Sequence, residues 1–431
     1  MSSLKRVQIG DFIDVLTDYH SNGSYKTLKD NVTLLPVKDY AIMIRTLNFE
    51  RNDFSDDLIY VDKSAYEHLV KSKVYPNDIL TNKIANPGSI YIMPDLHYPV
   101  TCGMNLFLIR FSPTVNQRYM YYCMKNSEEY IKSFAHGTTT KTITKEEVRS
   151  IDLLIHTDIN EQNKIEHLLS SIDRKIEINQ HINDNLQHQL KLLYDYWFTQ
   201  FDFPDKNGKP YRASGGTLVW NEQLKREIPQ YWSIGTVSDC VEKISTGLNP
   251  RDNFVLGNGS IRYITVKNLT TTGSLDFSGC DMIDEEARTI VHRRSDISVG
   301  DILFASIAPL GRCYLIQQEP TDWDINESVF SIRSKTDKIT PEYLYLFFQS
   351  DSFIQKATNT STGSIFKGIR INTLLDTKMI IPELQVCRSF TSAIKPLLAE
   401  INNNSAETAR LTALRDWLLP MLMNGQATIS D

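Results

Sequence analysis

Catalysis needs recognisable groups at workable spacing, and this sequence holds few of them. A phosphate cradle of the GxxxxGK[ST] kind is absent, as is an Asp/Asn-Pro-Pro-aromatic methyltransferase tetrapeptide. Gly257 and Gly259 form a lone pair that reads as a turn before a strand at Ile261, not as a cofactor loop. Pro94-Asp95 and Pro204-Asp205 could open a nuclease carboxylate motif, but neither is followed at useful spacing by Glu-x-Lys on a strand. The nine histidines are dispersed and none forms HExxH. His181 and His188 stand seven apart on the polar side of a helix, where a solvated face explains them better than a metal site. The expectation is no catalytic residue, no cofactor and no metal.

Binding chemistry is better represented. Two loops, GTTTK from Gly137 to Lys141 and GSIFK from Gly363 to Lys367, offer backbone N–H groups, hydroxyls and a cation. Those are the groups a phosphate contact uses, and glycine lets the backbone approach closely. The candidates are Gly137, Thr138, Thr139, Thr140 and Lys141 in one loop, and Gly363, Ser364, Lys367 and the nearby Arg370 in the other. A strand-entry turn with a surface lysine has the same look; recurrence favours the binding reading.

That recurrence belongs to a longer one, with a period of about 225 residues, which means duplicated domains. YPNDIL, ending at Leu80, matches VGDILF, so that Asp78 falls on Asp301; Gly88 falls on Gly311. Phe107, Ile109 and Arg110 fall on Phe330, Ile332 and Arg333, and Tyr119 falls on Tyr343. Val7-Gln8-Ile9-Gly10 is echoed at Trp232-Ser233-Ile234-Gly235. Each copy opens with β-rich segments, Asp39–Leu47 and Asp78–Leu80 with Phe107–Phe111 in the first, Ile261–Val266 and Asp301–Phe304 with Val329–Arg333 in the second. A helix follows, at Gln117–Ser133 or Pro341–Gln355, the latter with Thr340 as N-cap and Pro341 at the first helical position.

Each copy ends in one long helix. Ile165, Ile172, Asn179, Leu186 and Leu193 step by sevens, with Leu168, Leu169, Ile176, Ile182 and Leu190 between them. Phe390, Leu397, Asn404, Leu411 and Leu418 do the same. This is a coiled-coil seam of about four heptads, roughly 55–60 Å long at about 1.5 Å per residue. Asn179 and Asn404 occupy the same seam position; a buried seam Asn costs stability but fixes register and partner. The two helices are expected to pair antiparallel as a spacer, with a kink at Pro396.

The segment FDFPDKNGKPYRASGGTLVWNEQLKREIPQYW, from Phe201 to Trp232, follows the YDYWF run at Tyr194–Phe198, and LRDWLLPMLMNGQ runs from Leu414 to Gln426. Both resemble conserved regions of the specificity subunits of type I restriction–modification systems, and the resemblance spans the chain in family order. It implies an α+β fold: two pseudo-symmetric β-rich target-recognition domains separated by two long helices paired as an antiparallel coiled coil. The segments would be 1–156 and 232–382 for recognition, 157–200 and 383–425 for the helices, 201–231 for the linker and 426–431 for a tail. It further implies that each domain reads half of a split target in double-stranded DNA. Two methyltransferase (modification) subunits would dock on the helical regions, and ATP-driven restriction subunits would join through the complex.

On that reading the loop after each YPNDIL/VGDILF strand is a second candidate: Asn82 and Lys83 (with Thr81) in the first copy, Ser306 and Arg312 in the second. Asn can read adenine and Arg guanine in the major groove. Arg288, His292, Arg293 and Arg294 form a basic cluster that either lines the DNA or is a solvated helix face. These local cations must offset a net charge of −6, so Asp53, Asp56, Asp57, Asp62, Asp322, Asp324 and Glu327 are expected away from DNA.

The 431 residues, 41% hydrophobic and 23% charged, suit two or three globular domains. No apolar run approaches the roughly 18 residues of a membrane helix, and no secretory leader is expected, since no apolar run follows Lys5 and Arg6. Six scattered cysteines without a CxxC pair suggest reduced thiols in the cytoplasm. A non-catalytic protein-binding scaffold is the alternative, and a stand-alone enzyme a third reading. The expected outcome is that the purified chain, given DNA and S-adenosylmethionine alone, incorporates no methyl group, measured with a radiolabelled methyl donor; incorporation would restore the enzyme reading.

Overall fold

Short β-branched and aromatic runs expose one face each, so the strands of each copy must stack into sheets closed by a helix. A computed structural model describes residues 4–137, 140–360 and 368–429. The chain divides into two units. The first holds the residues up to Ile176 together with those from Arg410 on; the second is the contiguous stretch Glu177–Ala409.

In the first unit an antiparallel sheet runs in the order Ile13–Asp18, Leu106–Phe111, Ile79–Asn82, Ile90–Ile92. A second sheet orders Ile59–Val61, Ala41–Ile44, Val100–Cys102, Lys73–Val74, its two inner strands parallel. Leu4–Gln8 pairs with Asp152–His156. The second unit repeats the plan. Val241–Thr246, Val329–Ser334, Ile302–Ala305 and Cys313–Leu315 follow the same order. Asp281–Ile283, Ile261–Ile264 and Trp323–Ile325 again include one parallel pair. Even the register irregularity recurs, between Ile13 and Val15 in one unit and Val241 and Lys243 in the other.

The matched landmarks form the same interactions. Arg110 grips Asp78 with two hydrogen bonds of 2.6 and 2.7 Å, and Arg333 grips Asp301 with two of 2.8 and 2.9 Å. Each arginine also donates to a backbone carbonyl, of Lys73 or Asp296. Gly88 and Gly311 adopt φ of +88° and +90°. A Cβ at Gly88 would come within 3.0 Å of the Lys132 backbone, and one at Gly311 within 2.8 Å of Ile354.

Three expectations need correction. The echo of Val7–Gly10 lies three residues further on: Gln8 pairs with Asp152 as Thr236 pairs with Lys378, and Ile9 bonds to Ile151 as Val237 bonds to Thr377. Thr340 caps its helix by position only, because its hydroxyl accepts from Thr391 Oγ1 at 2.9 Å and makes no cap bond. Ile182 does not belong to the seam and is 38% exposed; the inward line runs through Asn179, Asn183 and Leu186.

The long helices are Ile159–Tyr194, which continues as a π turn over Asp195–Thr199, and Leu384–Met423, which contains Pro396. In the first unit Ile165 and Leu169 share a core with Leu422 and Met423. In the second Leu190, Tyr194, Trp197 and Phe198 share one with Phe390, Ile394 and Ile401. Opposite ends of the helices thus meet in each unit, so they run antiparallel. Both seam asparagines are buried, but not against each other: Asn179 donates to Glu407 at 2.7 Å, and Asn404 donates to Asn183 at 3.0 Å. Residues 201–231 fold as part of the second unit, with a hairpin of Leu218–Asn221 and Arg226–Pro229. Phe201 and Phe203 there pack on Trp232.

Asp78→Ala should strand Arg110 and cost about 2 kcal/mol, below a fully buried pair because the arginine keeps some solvent. Amide hydrogen exchange should then rise in Ile79–Asn82 and Leu106–Phe111 and not in the second unit. An equal rise in both would mean that the units open together.

Candidate nucleic-acid interface

The inner strand of each main sheet ends in a residue whose outgoing backbone must find a partner. In the first unit, the chain leaves Ile79–Asn82 through Lys83 and Ile84. Ile143 N–H donates to the Lys83 carbonyl at 3.1 Å, and Ile84 bridges Thr142. In the second, Ile369 N–H donates to the Ser306 carbonyl at 2.9 Å, and Ile307 bridges Gly368. The other side is closed alike: Lys83 N–H bonds to Asn105, and Ser306 N–H to Ser328. In each copy the loop that leaves the inner strand therefore meets the segment that follows the other candidate loop, residues 142–143 in the first and 368–369 in the second, and this junction occurs twice.

The first loop is built for a tight approach. His136 and Thr142 exchange backbone hydrogen bonds of 3.0 and 2.8 Å. Gly137 has φ of +119°, and a Cβ there would lie 2.4 Å from the Thr140 carbonyl. Thr144 and Glu147 form a capping box beneath it, with His136 Nδ1 2.8 Å from Glu147. Lys141 is exposed, and so is Arg370 of the second loop. Thr138, Thr139, Gly363, Ser364 and Lys367 lie outside the described residues.

Beside the first junction sits a charge cluster that sequence reasoning missed. Asp18 receives Lys83 Nζ at 2.8 Å, Lys145 Nζ at 3.0 Å and Ser21 Oγ at 2.6 Å. Burial alone would raise the Asp18 carboxyl, but these hydrogen bonds, led by that from Lys83, hold it well below the usual carboxylate range. Two lysines on one aspartate leave a net cation at the junction, with the Lys145 side chain 32% exposed. By register, Asp18 corresponds to Thr246, since they face Phe107 and Phe330 respectively. Lys83 corresponds to Ser306, whose hydroxyl donates to Ser328 O at 2.6 Å. At these two positions the second junction carries hydroxyls where the first carries an ion pair.

A family model described as the type I restriction modification DNA specificity domain matches residues 2–188 and again 229–412. The chain belongs to the type I restriction–modification DNA specificity family. It is 23% identical over 385 residues to the MjaIX specificity subunit of Methanocaldococcus jannaschii, covering 87% of this chain and 85% of that one. It is 22% identical to the HindI specificity subunit of Haemophilus influenzae, covering 83% and 88%. The crystal structure of a type I S subunit from M. genitalium shares the fold, with a TM-score of 0.55, 16% identity and coverage of 98% and 96%. Members of this family supply DNA specificity within a type I complex, not catalysis.

For a specificity subunit the remaining candidates are unequal. Asn82 is fully buried, its amide accepting from Thr46 and donating to Tyr91, so it is a strand residue and not a loop reader. Lys83 is interior on Asp18. Arg312 turns inward and donates to the carbonyls of Val266 and Leu269 at 3.3 and 3.5 Å. Within the helix Glu285–Ser295, Arg288 is folded onto Pro320 O and His292 onto Asp324. Arg293 and Arg294 are exposed in its last turn, next to Asp296, which pairs with Lys243 and Arg333 away from the junction. Glu327 departs from expectation: it directly precedes Ser328 at the second junction and accepts from Asn249 at 2.9 Å. Among the described residues no His/Cys/Asp/Glu group could hold a metal, and no helix is long and apolar enough to cross a membrane.

Asp18→Asn should destabilise the first unit by about 3 kcal/mol at neutral pH, because two lysines lose their shared anion. A carboxyl depressed on folding stabilises above its unfolded pKa of about 3.9, and that stability is lost as pH falls through the lower folded value. The gap between wild type and variant in urea unfolding should therefore close below about pH 4; a gap constant from pH 7 to pH 2 would deny the ionic cluster.

Proposed function

We propose that each unit reads one half of a split, asymmetric target in double-stranded DNA through its loop junction. The chain thereby directs two methyltransferase subunits and, through them, ATP-driven restriction subunits. What carries the reading is the repeated junction, in which Ile143 meets Lys83 and Ile369 meets Ser306. A shared frame bearing different side chains, Asp18 and Lys145 in one unit and Thr246 and Arg370 in the other, suits two unlike half-sites.

Lys141 and Arg370, exposed at the two junctions, are read as phosphate contacts. Thr138, Thr139, Gly363, Ser364 and Lys367 belong to the same loops in sequence and share that role. Asn82 and Lys83 are left out because they are interior, and Arg293 and Arg294 because they stand apart from the junction. Local cations at the loops, not the overall charge of −6, provide the attraction.

Two outcomes test this. Replacing residues 232–382 with the corresponding segment of a relative should change one half of the methylated sequence and keep the other, read by sequencing modified bases; a change in both halves would refute the division. Lys141→Ala should weaken the assembled methyltransferase on all DNA sequences alike and lower the slope of log K against log salt by about 1. An unchanged slope would exclude that lysine from the backbone.

A further inference from the structure

The second unit contains a cavity of about 280 Å³ that the reading above does not use. Its polar side is formed by Gln187, His188 and Lys191 of the first long helix, Thr271, Arg312, and Gln349 at the end of Pro341–Gln349; Pro309, Leu310 and Ile354 give it a larger apolar side. Every titratable group on that wall is Lys, Arg or His; no carboxylate lines it. Lys191 pairs at 2.6 Å with Asp351, which is mostly exposed and lies off the wall.

One buried donor of this wall, Arg312 Nε, lacks an acceptor, and the Gln349 amide has only the Tyr345 hydroxyl, which it shares with Gln187. The other bonds nearby are long, with Arg312 Nη1 at 3.3 and 3.5 Å from two carbonyls and Gln187 Nε2 at 3.5 Å from the Tyr345 hydroxyl. A buried donor without an acceptor is costly. An orphan guanidinium N–H beside Lys191 and a weakly held amide calls for a ligand that brings oxygens and negative charge. The volume is at the small end for ligand pockets, enough for a compact oxyanion and too little for a dinucleotide.

We propose that this cavity binds a phosphate group. Arg312 and Gln349 donate to its oxygens, Lys191 supplies further positive charge, and His188 offers a ring nitrogen. The group comes either from the DNA backbone or from free phosphate or a nucleotide. Arg312 lies at the far end of the loop that leaves the second junction at Ser306, which favours the backbone; that preference alone rests on the proposed function. The site belongs to one unit only, because Gly88 corresponds to Gly311 and so Ser89, not a cation, takes the place of Arg312.

The test titrates the full chain with sodium phosphate against sodium chloride at matched ionic strength, following the thermal midpoint and the heat of binding. Phosphate should raise the midpoint of wild type and of the Ser89→Ala control above that in chloride. Arg312→Gln should abolish the difference. Gln349→Met should blunt the phosphate response. Identical curves in phosphate and chloride for wild type, or a full response in Arg312→Gln, would overturn the proposal. A duplex competition separates the sources. If the backbone fills the cavity, phosphate displaces DNA more strongly than chloride does; if a free ligand fills it, the phosphate response persists in the DNA complex. Failure of the chain to bind DNA would count against the function and leave the phosphate titration to decide the cavity.

Discussion

The loop end of each unit is held by one backbone hydrogen bond between distant segments, Ile143 to Lys83 and Ile369 to Ser306. Each satisfies a carbonyl just past the end of an inner strand, where an unpaired polar group would be costly. Each also draws the chain that follows a candidate loop onto the strand end, close to Lys141 in one unit and Arg370 in the other. The chain closed by the bond is about 60 residues long, and closure entropy rises only by about 0.6 kcal/mol per doubling of length. The intervening strands can therefore change in sequence and length without loosening the junction. A recognition module needs that separation between a constant frame and a variable surface.

Much of the frame was legible because it was written twice. Asp78 with Arg110 and Asp301 with Arg333 lined up as landmarks, and each pair proved to be one bidentate contact. Gly88 and Gly311 aligned because both require a positive φ. Where the copies diverge, alignment said nothing. Asp18 and Lys145 have Thr246 and no lysine opposite, so their buried cluster left no repeated signal. Asn82 looked like a loop residue because polar side chains usually mark strand ends, yet the strand runs two residues past Leu80 and buries it. The Val7–Gly10 echo misled because a short Ile-Gly match outweighed the pairing partners, which no local pattern reveals.

The seam shows a different limit. Heptad spacing identified both helices and the burial of Asn179 and Asn404, but not the bonds these make. Asn404 meets Asn183, which also donates to Ser405 and to the Ile401 carbonyl, so the polar stretch is a small network. Such a network holds register because sliding either helix by one residue would strand several buried groups together. Ile178 and Ile182 lie outside it, exposed, although their types alone would place them inward.

The division of the chain bears on how it is made. The second unit is contiguous, whereas the first is completed only when Leu422 and Met423 join Ile165 and Leu169 in its core. On a ribosome the amino-terminal strands must wait while the whole of Glu177–Ala409 is synthesised. At roughly 5–20 residues per second that delay is about 10–50 s. The usual vectorial order is thereby inverted: the later-made unit can be finished while the earlier one is still an open sheet assembly lacking part of its apolar cover. Over that interval the nascent amino-terminal half presents the sticky surface on which chaperones act.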